Sequence, residues 1–370
     1  MPTIQAVFVL LSDLHFGRDL YDPPELPLIN FSPMVKWLNR EERVSRYFEQ
    51  KCLGHSIACV KKLPRYLKYL LREAQDEGYD GNSFDLFILL GDQATIPDGQ
   101  TYQFLRGYLT QDRYETHDAD GGFYCAGLGL RPEQILAIPG NHDKLLRRDL
   151  DLYNVEFTTK LGLEDQVAPR GCTVVTRVYR NREFVFALVD ASNYAAQELT
   201  LDSTCPGHLA SGKLTKELYQ QMRDKLRALK EGRKVDAAQL RGSYPEATKI
   251  LLVHYAVDMR KVIGAVRPSE TLLPHDCEGL GESVAKLLME FQVGVVLHGH
   301  LHSPALYNHD GVQVIAATTA TQQDAKNGFF LLKAFDNGEL RAEHHVWNGA
   351  AFAADPTGSL NKPLVHGVAA

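Results

Sequence analysis

Several hallmarks are missing from this sequence, and each absence removes a class of protein. No apolar run in its 370 residues approaches the roughly 18 that a membrane-spanning helix needs, so no membrane partner is expected. Cys52, Cys59, Cys125, Cys172, Cys205 and Cys277 form no C-x-x-C pair and no metal-finger spacing. Such scattered thiols fit a reducing compartment, and the expected location is cytoplasmic. Basic charge is not in excess: 40 Lys and Arg against 46 Asp and Glu leave a net −6, which speaks against generic nucleic-acid binding. Internal repeats are absent as well. The apolar run at residues 7–11 is short and has no basic flank, so it is read as a first strand and not as a leader. The remaining composition, 44% hydrophobic and 23% charged, is that of an ordinary globular chain.

What is present is a set of five apolar runs that end in Asp, Asn or His. Residues 6–11 stop at Ser12 and then present Asp13 and His15, two positions apart, so strand alternation can point both the same way. Leu86-Phe87-Ile88-Leu89-Leu90 ends in Gly91-Asp92, and Ile135-Leu136-Ala137-Ile138 ends in Pro139-Gly140-Asn141-His142-Asp143. Ile250-Leu251-Leu252-Val253 ends in His254, and residues 293–297 run into His298-Gly299-His300-Leu301-His302. One such end is ordinarily a turn former or a hydrogen-bonded surface residue. Five together are hard to reach by chance, because strand-end loops of an α/β protein gather on one edge of a sheet and build a shared site.

The order Asp-x-His, Gly-Asp, Gly-Asn-His-Asp, His, Gly-His-x-His, spread from Asp13 to His302, resembles the calcineurin-like metallophosphoesterase superfamily. The resemblance implies one metal held by Asp13, His15, Asp92 and His302, and a second held by Asp92, Asn141, His254 and His300, with Asp92 as the bridge. For His142 it implies contact with the phosphate and proton donation to the leaving oxygen. Asp143 is expected to orient that imidazole. The plainer alternative for His142 is a helix cap near Lys144. The implied fold is α/β, a four-layer α-β-β-α sandwich of two mixed sheets with the ligands along one edge. Three departures stand out. His254-Tyr255 replaces the two adjacent His residues of many relatives, which leaves Tyr255 to another role. Gln93-Ala94-Thr95 is less acidic than usual, and His298 is an extra histidine, read as a satisfied core residue.

Four imidazoles, two carboxylates and an amide oxygen are too rich in nitrogen for calcium or magnesium, and suit Mn, Fe, Zn, Co or Ni. Two divalent ions against two Asp carboxylates leave the site about doubly positive, a charge that attracts phosphate. Two such ions, roughly 3.5–4 Å apart, lower the pKa of a water between them and stabilise an in-line displacement at phosphorus without a protein nucleophile.

Residues 1–348 are expected to form one catalytic domain with long insertions at about 18–55, 93–131, 191–247 and 255–281, and 349–370 to be a weakly structured tail rich in Ala, Gly and Pro. Strands are predicted at 173–179 and 184–190 as a hairpin, and at 293–297, 312–316, 329–335 and 340–346, with Asp336-Asn337-Gly338 as the last turn. Helices are predicted at 60–77, 213–231 and 282–291; in the second, Leu214, Leu218, Met222, Leu226 and Leu229 form a core-facing stripe. Phe104, Tyr108, Tyr114 and Phe123, in the aromatic segment 102–124, either stack a base or build a satellite core. Arg18, Lys144, Arg147, Arg148, Arg260, Lys261 and Arg267 follow the motifs, and one or two of them are expected to touch substrate.

The expected function is a dinuclear metal-dependent phosphodiesterase acting on a cyclic or linear nucleotide. Ser12-Asp13-Leu14-His15-Phe16-Gly17 and the Gly-Asn-His-Asp block look like those of bacterial cyclic-nucleotide phosphodiesterases, and they also occur in phosphomonoesterases. A DNA exonuclease or repair-nuclease subunit shares the five blocks but is disfavoured by the acidic charge. A phosphomonoesterase is the other enzymatic alternative, and a non-catalytic scaffold is disfavoured because every ligand position is filled. Oligomeric state is not readable from the residues.

Overall fold

The computed structural model describes residues 2–16, 57–94, 99–111, 113–116, 123–144, 151–167, 171–194, 210–212, 214–264, 284–321, 327–355, 357 and 362–364. The chain runs from β1 (Ile4–Leu11) through α1 (Ile57–Asp76), β2 (Leu86–Leu90) and α2 (Gly99–Thr110) to β3 (Arg113–Thr116), β4 (Phe123–Ala126) and β5 (Ile135–Ile138). A π-helical turn, Tyr153–Thr159, precedes β6 (Gly171–Tyr179), β7 (Arg182–Asp190), β8 (Ser192–Tyr194), β9 (Ala210–Gly212), α3 (Lys216–Lys230) and β10 (Thr248–Val253). Then come α4 (Met259–Ile263), α5 (Val284–Glu290), β11 (Val295–His298), β12 (Ala305–His309), β13 (Val312–Ala316), β14 (Gly328–Phe335), β15 (Leu340–Trp347), β16 (Phe352–Ala354) and β17 (Lys362–Leu364).

Seven strands form one sheet in the order β16-β15-β14-β1-β2-β5, with β17 also on β15, and six form the other in the order β12-β13-β11-β10-β7-β6. Both are mixed. β1, β2 and β5 run parallel while β14 is antiparallel to β1. In the second sheet β7, β10, β11 and β13 are parallel, flanked by antiparallel β6 and β12. Alternation explains the layers. Along β1, Val7, Val9 and Leu11 turn to one side and Ala6, Phe8 and Leu10 to the other, so the strand is buried on both faces.

The middle layer packs Phe8, Leu10 and Ile88 of the first sheet on Phe186, Leu188 and Leu297 of the second. Each fully buried Leu, Ile or Phe contributes roughly 1.5–3 kcal/mol, and this layer holds the two halves of the strand-end edge together. Helices α1 and α2 cover the first sheet with Leu63, Leu67 and Tyr108, and α3 and α5 cover the second with Leu218, Met222 and Leu288. The result is the expected four-layer sandwich. Thr215 caps α3, accepting the Leu218 N–H at 3.2 Å, and the predicted stripe is buried.

The structure departs from the sequence expectations at several elements. The segment 93–131 is not free of the core: α2 lies in it, and Tyr102, Leu105, Tyr108 and Leu109 are fully buried, so Tyr108 is a core residue and not a stacking platform. Phe104 packs against the same core, and the side chains of Tyr114 and Phe123 lie outside the described set. β12 was not foreseen; it is a half-exposed edge strand without clean alternation. Finally, β16 and β17 add two short strands to β15, so part of the expected tail belongs to the first sheet. Residues 18–55, 195–209 and 265–281, with Arg18, Arg147, Arg148 and Arg267, lie outside the described residues.

Candidate metal centre

The five motif-bearing strands deliver their C-terminal ends to one edge, because β1, β2 and β5 are parallel in one sheet and β10 and β11 in the other. The loops that follow are braced to one another. Asp13, His15 and Phe16 donate their backbone N–H groups to Gly91, Asp92 and Gln93 carbonyls at 3.1, 2.9 and 2.9 Å, and Gly299 donates to His254 O at 3.1 Å. His300 N–H reaches Asp13 Oδ1 and Oδ2 at 3.2 and 3.1 Å, which joins the two sheets. Gly140 permits a close approach: a Cβ there would collide with the Asp92 carboxylate and backbone.

All the predicted site residues come together. His254 donates Nδ1–H to Leu90 O at 2.7 Å, so its Nε2 is turned inward, 2.9 Å from Asn141 Oδ1 and 3.3 Å from Asp92 Oδ2. His300 Nδ1 is 2.9 Å from the same Asn141 oxygen. On the other side His15 Nε2 faces His302 Nε2 at 3.1 Å, and His302 Nε2 is 3.2 Å from Asp13 Oδ1. Among the described residues, three groups have ligand atoms within 4.8 Å of one another: Asp13, His15 and His302; His15, Asp92 and His142; and Asp92, His254 and His300. A donor set of imidazole nitrogens and carboxylate oxygens fits a divalent transition metal. Most of these residues are buried; His300 and His302 are partly exposed, and the site opens on their side.

The backbone carries strain here. Nine non-glycine residues among those described have positive φ, and Asp13, His15, Asp92, His300 and His302 are five of them. Such conformations cost on the order of 1–3 kcal/mol each and persist where surrounding contacts over-determine them. Electrostatics divide the four imidazoles. Burial followed by the neighbouring His142 pushes His15 down to about 3, and burial with His254 does the same to His300, so both are neutral, whereas against their burial the Asp92 carboxylate raises His254 to about 9 and the Asp13 carboxylate raises His302. Burial would raise the Asp13 carboxyl, yet the adjacent His302 holds it at about 2. Asp92 is likewise kept well below the usual range against its burial, chiefly by His254.

His142 donates its backbone N–H to Asp92 Oδ1 at 2.8 Å, and its ring centroid lies 4.8 Å from that of His15. Asp143 departs from expectation. Its carboxylate accepts N–H groups from Gly140 and Gln93 on Oδ2, at 2.9 and 3.2 Å, and from Ala94 on Oδ1 at 3.1 Å, so it braces loops and does not orient the His142 imidazole. Tyr255 is fully buried with its ring 4.7 Å from His300 and 5.3 Å from His254, a packing wall behind two imidazoles. His298 is buried with Nδ1 donating to Gly299 O at 3.0 Å and Nε2 3.3 Å from Tyr307 Oη, as expected for a core histidine. From the sequence Lys144 is expected among the cations that could touch substrate. It is instead buried against Asp190 at the end of β7, while Arg260 and Lys261 are exposed. Tyr102, Tyr307 and Asp190 carried no local signal, because their partners lie far along the chain.

The family model described as calcineurin-like phosphoesterase matches residues 6–304. No curated protein matches the sequence. Among solved structures, GAP50, the anchor in the inner membrane complex of Plasmodium, is 10% identical, with 97% of this chain and 89% of that one covered at a TM-score of 0.45. The phosphopantetheinyl hydrolase PptH of Mycobacterium tuberculosis is 14% identical, covering 86% and 91% at a TM-score of 0.38. Purple acid phosphatase PPD1 from yellow lupin, Lupinus luteus, is 13% identical, covering 96% of this chain and 53% of that one at 0.41. The span matched by the family model starts on β1 and ends past His302, enclosing every motif at the site edge, and the chain is a member of the calcineurin-like metallophosphoesterases.

Proposed function

We propose that this metallophosphoesterase is a dinuclear phosphodiesterase whose substrate is a cyclic or linear nucleotide. The observation that carries the reading is the convergence of Asp13, His15, Asp92, Asn141, His254, His300 and His302 from five strand ends of two sheets. In this reading Asp13, His15, Asp92 and His302 hold one divalent ion, Asp92, Asn141, His254 and His300 hold the other, and Asp92 is shared. The ions, of Mn, Fe, Zn, Co or Ni, supply charge stabilisation at the phosphoryl oxygens and an activated water when bound.

The protein's own groups do the rest. Leu90 O holds His254 Nδ1, so that Nε2 is the nitrogen turned to the site. Ser12 Oγ and the His300 N–H hold the Asp13 carboxylate in place. Substrate enters beside the partly exposed His300 and His302. His142 passes its ring proton to the departing ester oxygen, which leaves as an alcohol. The nucleotide preference rests on the likeness of residues 12–17 to cyclic-nucleotide phosphodiesterases. A cytoplasmic location is part of the proposal, supported by the buried free thiols of Cys59 and Cys172, and among the described residues no helix is long and apolar enough to cross a membrane.

Metal analysis followed by a substrate panel tests the reading. Hydrolysis of cyclic AMP and bis-p-nitrophenyl phosphate well above p-nitrophenyl phosphate is expected, with linear duplex DNA left intact. Turnover of the monoester alone would replace the phosphodiesterase reading with a phosphomonoesterase.

A further inference from the structure

We infer that Tyr102 of α2 is a positioning residue for the metal centre, acting through Asp143 on the two loops that carry Asp92 and Asn141. The inference rests on the dinuclear reading above. Asp143 is completely buried, and its four hydrogen-bond donors come from three places. Gln93 and Ala94 follow Asp92 on the β2 loop, Gly140 precedes Asn141 on the β5 loop, and the fourth donor is the hydroxyl of Tyr102, 3.1 Å from Asp143 Oδ1. A buried carboxylate is tolerated only when its oxygens are satisfied. The spacing of the two ligand loops is therefore fixed by one carboxylate, and the aim of that carboxylate is fixed in part from α2.

The hydroxyl is itself held firmly. Tyr102 is fully buried, with its ring 5.8 Å from Tyr153 and 5.9 Å from Phe157 of the π-helical turn. Arg106, one turn further along α2, binds the carbonyl of Glu156 and pairs with its carboxylate at 3.3 Å. Helix α2 and the π-helical turn thus form a rigid backing that the metal motifs do not include. Loss of the hydroxyl leaves Oδ1 with the Ala94 N–H alone among these donors, which lets the carboxylate tilt and the loops drift apart.

Tyr108 provides an internal control. It is on the same helix, equally buried, and its hydroxyl donates to Val60 O at 3.1 Å, a helix carbonyl outside the ligand loops. Tyr102→Phe and Tyr108→Phe each delete one buried hydroxyl and keep the ring. Mn²⁺ affinity of the full-length apoprotein is measured by competition with a chelating indicator, beside apoprotein melting. Both variants are expected to melt lower by a similar amount, but only Tyr102→Phe should bind Mn²⁺ about 10-fold more weakly, the lower end for outer-shell partners of metal ligands. In an Asp143→Asn background, Tyr102→Phe should cost no further affinity, since the pathway is already cut. An equal affinity loss in both variants, or none in Tyr102→Phe, overturns the inference. A wild-type protein that binds no Mn²⁺, Fe²⁺, Zn²⁺, Co²⁺ or Ni²⁺ overturns the dinuclear reading itself, and the inference with it.

Discussion

The two edges of the sandwich use charge in opposite ways. At the edge away from the strand C-termini, Arg182 at the start of β7 crosses from the second sheet to the first. It donates to Phe335 O, Gly338 O and Glu339 O at 2.7, 2.8 and 2.9 Å, and to Thr248 Oγ1. Beside it Arg180 binds Gln5 O at 2.6 Å and pairs with Asp80. There each cation meets acceptors, and the protein is complete by itself. At the motif edge the groups that could hold a metal face one another: His15 Nε2 faces His302 Nε2, and Asn141 Oδ1 faces two imidazoles. Five strained residues hold that arrangement. One edge is built to join sheets and the other to gather metal-ligating groups, although both belong to the same two sheets.

The comparison can be broken most severely at Asp92. Asp92→Asn removes one negative charge from between the two proposed ions, and both metal binding and activity should be lost. Two tightly bound ions per chain in that variant, counted by elemental analysis, would contradict the bridging assignment. His142→Ala should behave differently, with near-normal metal content and turnover lowered roughly 10²–10⁴-fold, the usual size of a general-acid contribution. Metal loss there would make His142 a ligand.

Between the edges in size of effect stands the Lys144–Asp190 pair, which links the β5 loop to the end of β7 with both side chains almost fully buried. Asp190→Asn takes the carboxylate away from the buried ammonium and should cost about 3–5 kcal/mol in denaturant unfolding. An unchanged midpoint would show that the pair contributes nothing net. Arg182→Met tests the far edge. It should cost about 2 kcal/mol through lost charge-assisted hydrogen bonds while metal stoichiometry stays that of the wild type, and any metal loss would mean that the edges are not independent. The smallest effect concerns the leaving group. His142→Ala should impair a nucleotide ester about 10-fold more than an aryl ester such as bis-p-nitrophenyl phosphate, because a ribose alkoxide needs a proton and p-nitrophenolate does not. Equal losses on both substrates would assign His142 to stabilising charge on the phosphate.

Much of this was legible locally. The apolar runs before Asp13, Asp92, Asn141 and His254 are strands because both of their faces are buried, and continuous apolar sequence records that directly. The α3 stripe was equally plain. Elements with weaker patterning escaped. β12 sits half exposed at a sheet edge, β17 is a three-residue strand containing Pro363, and α2 mixes glycine with aromatic residues that also suit a binding loop.

By itself the sequence determined the strand ends and the residue types that close them, because hydrophobic period and chain termination are local properties. It determined too that the donors suit transition metals, since that follows from imidazole and carboxylate chemistry alone. Only the tertiary structure decided that Asp143 braces the ligand loops instead of His142, that Tyr102 supports it from α2, and that Lys144 is bound to Asp190. Those contacts join residues 3 to 50 positions apart through buried polar groups. Their partners are set by how the layers pack, and packing leaves no pattern in the residues on either side of a contact.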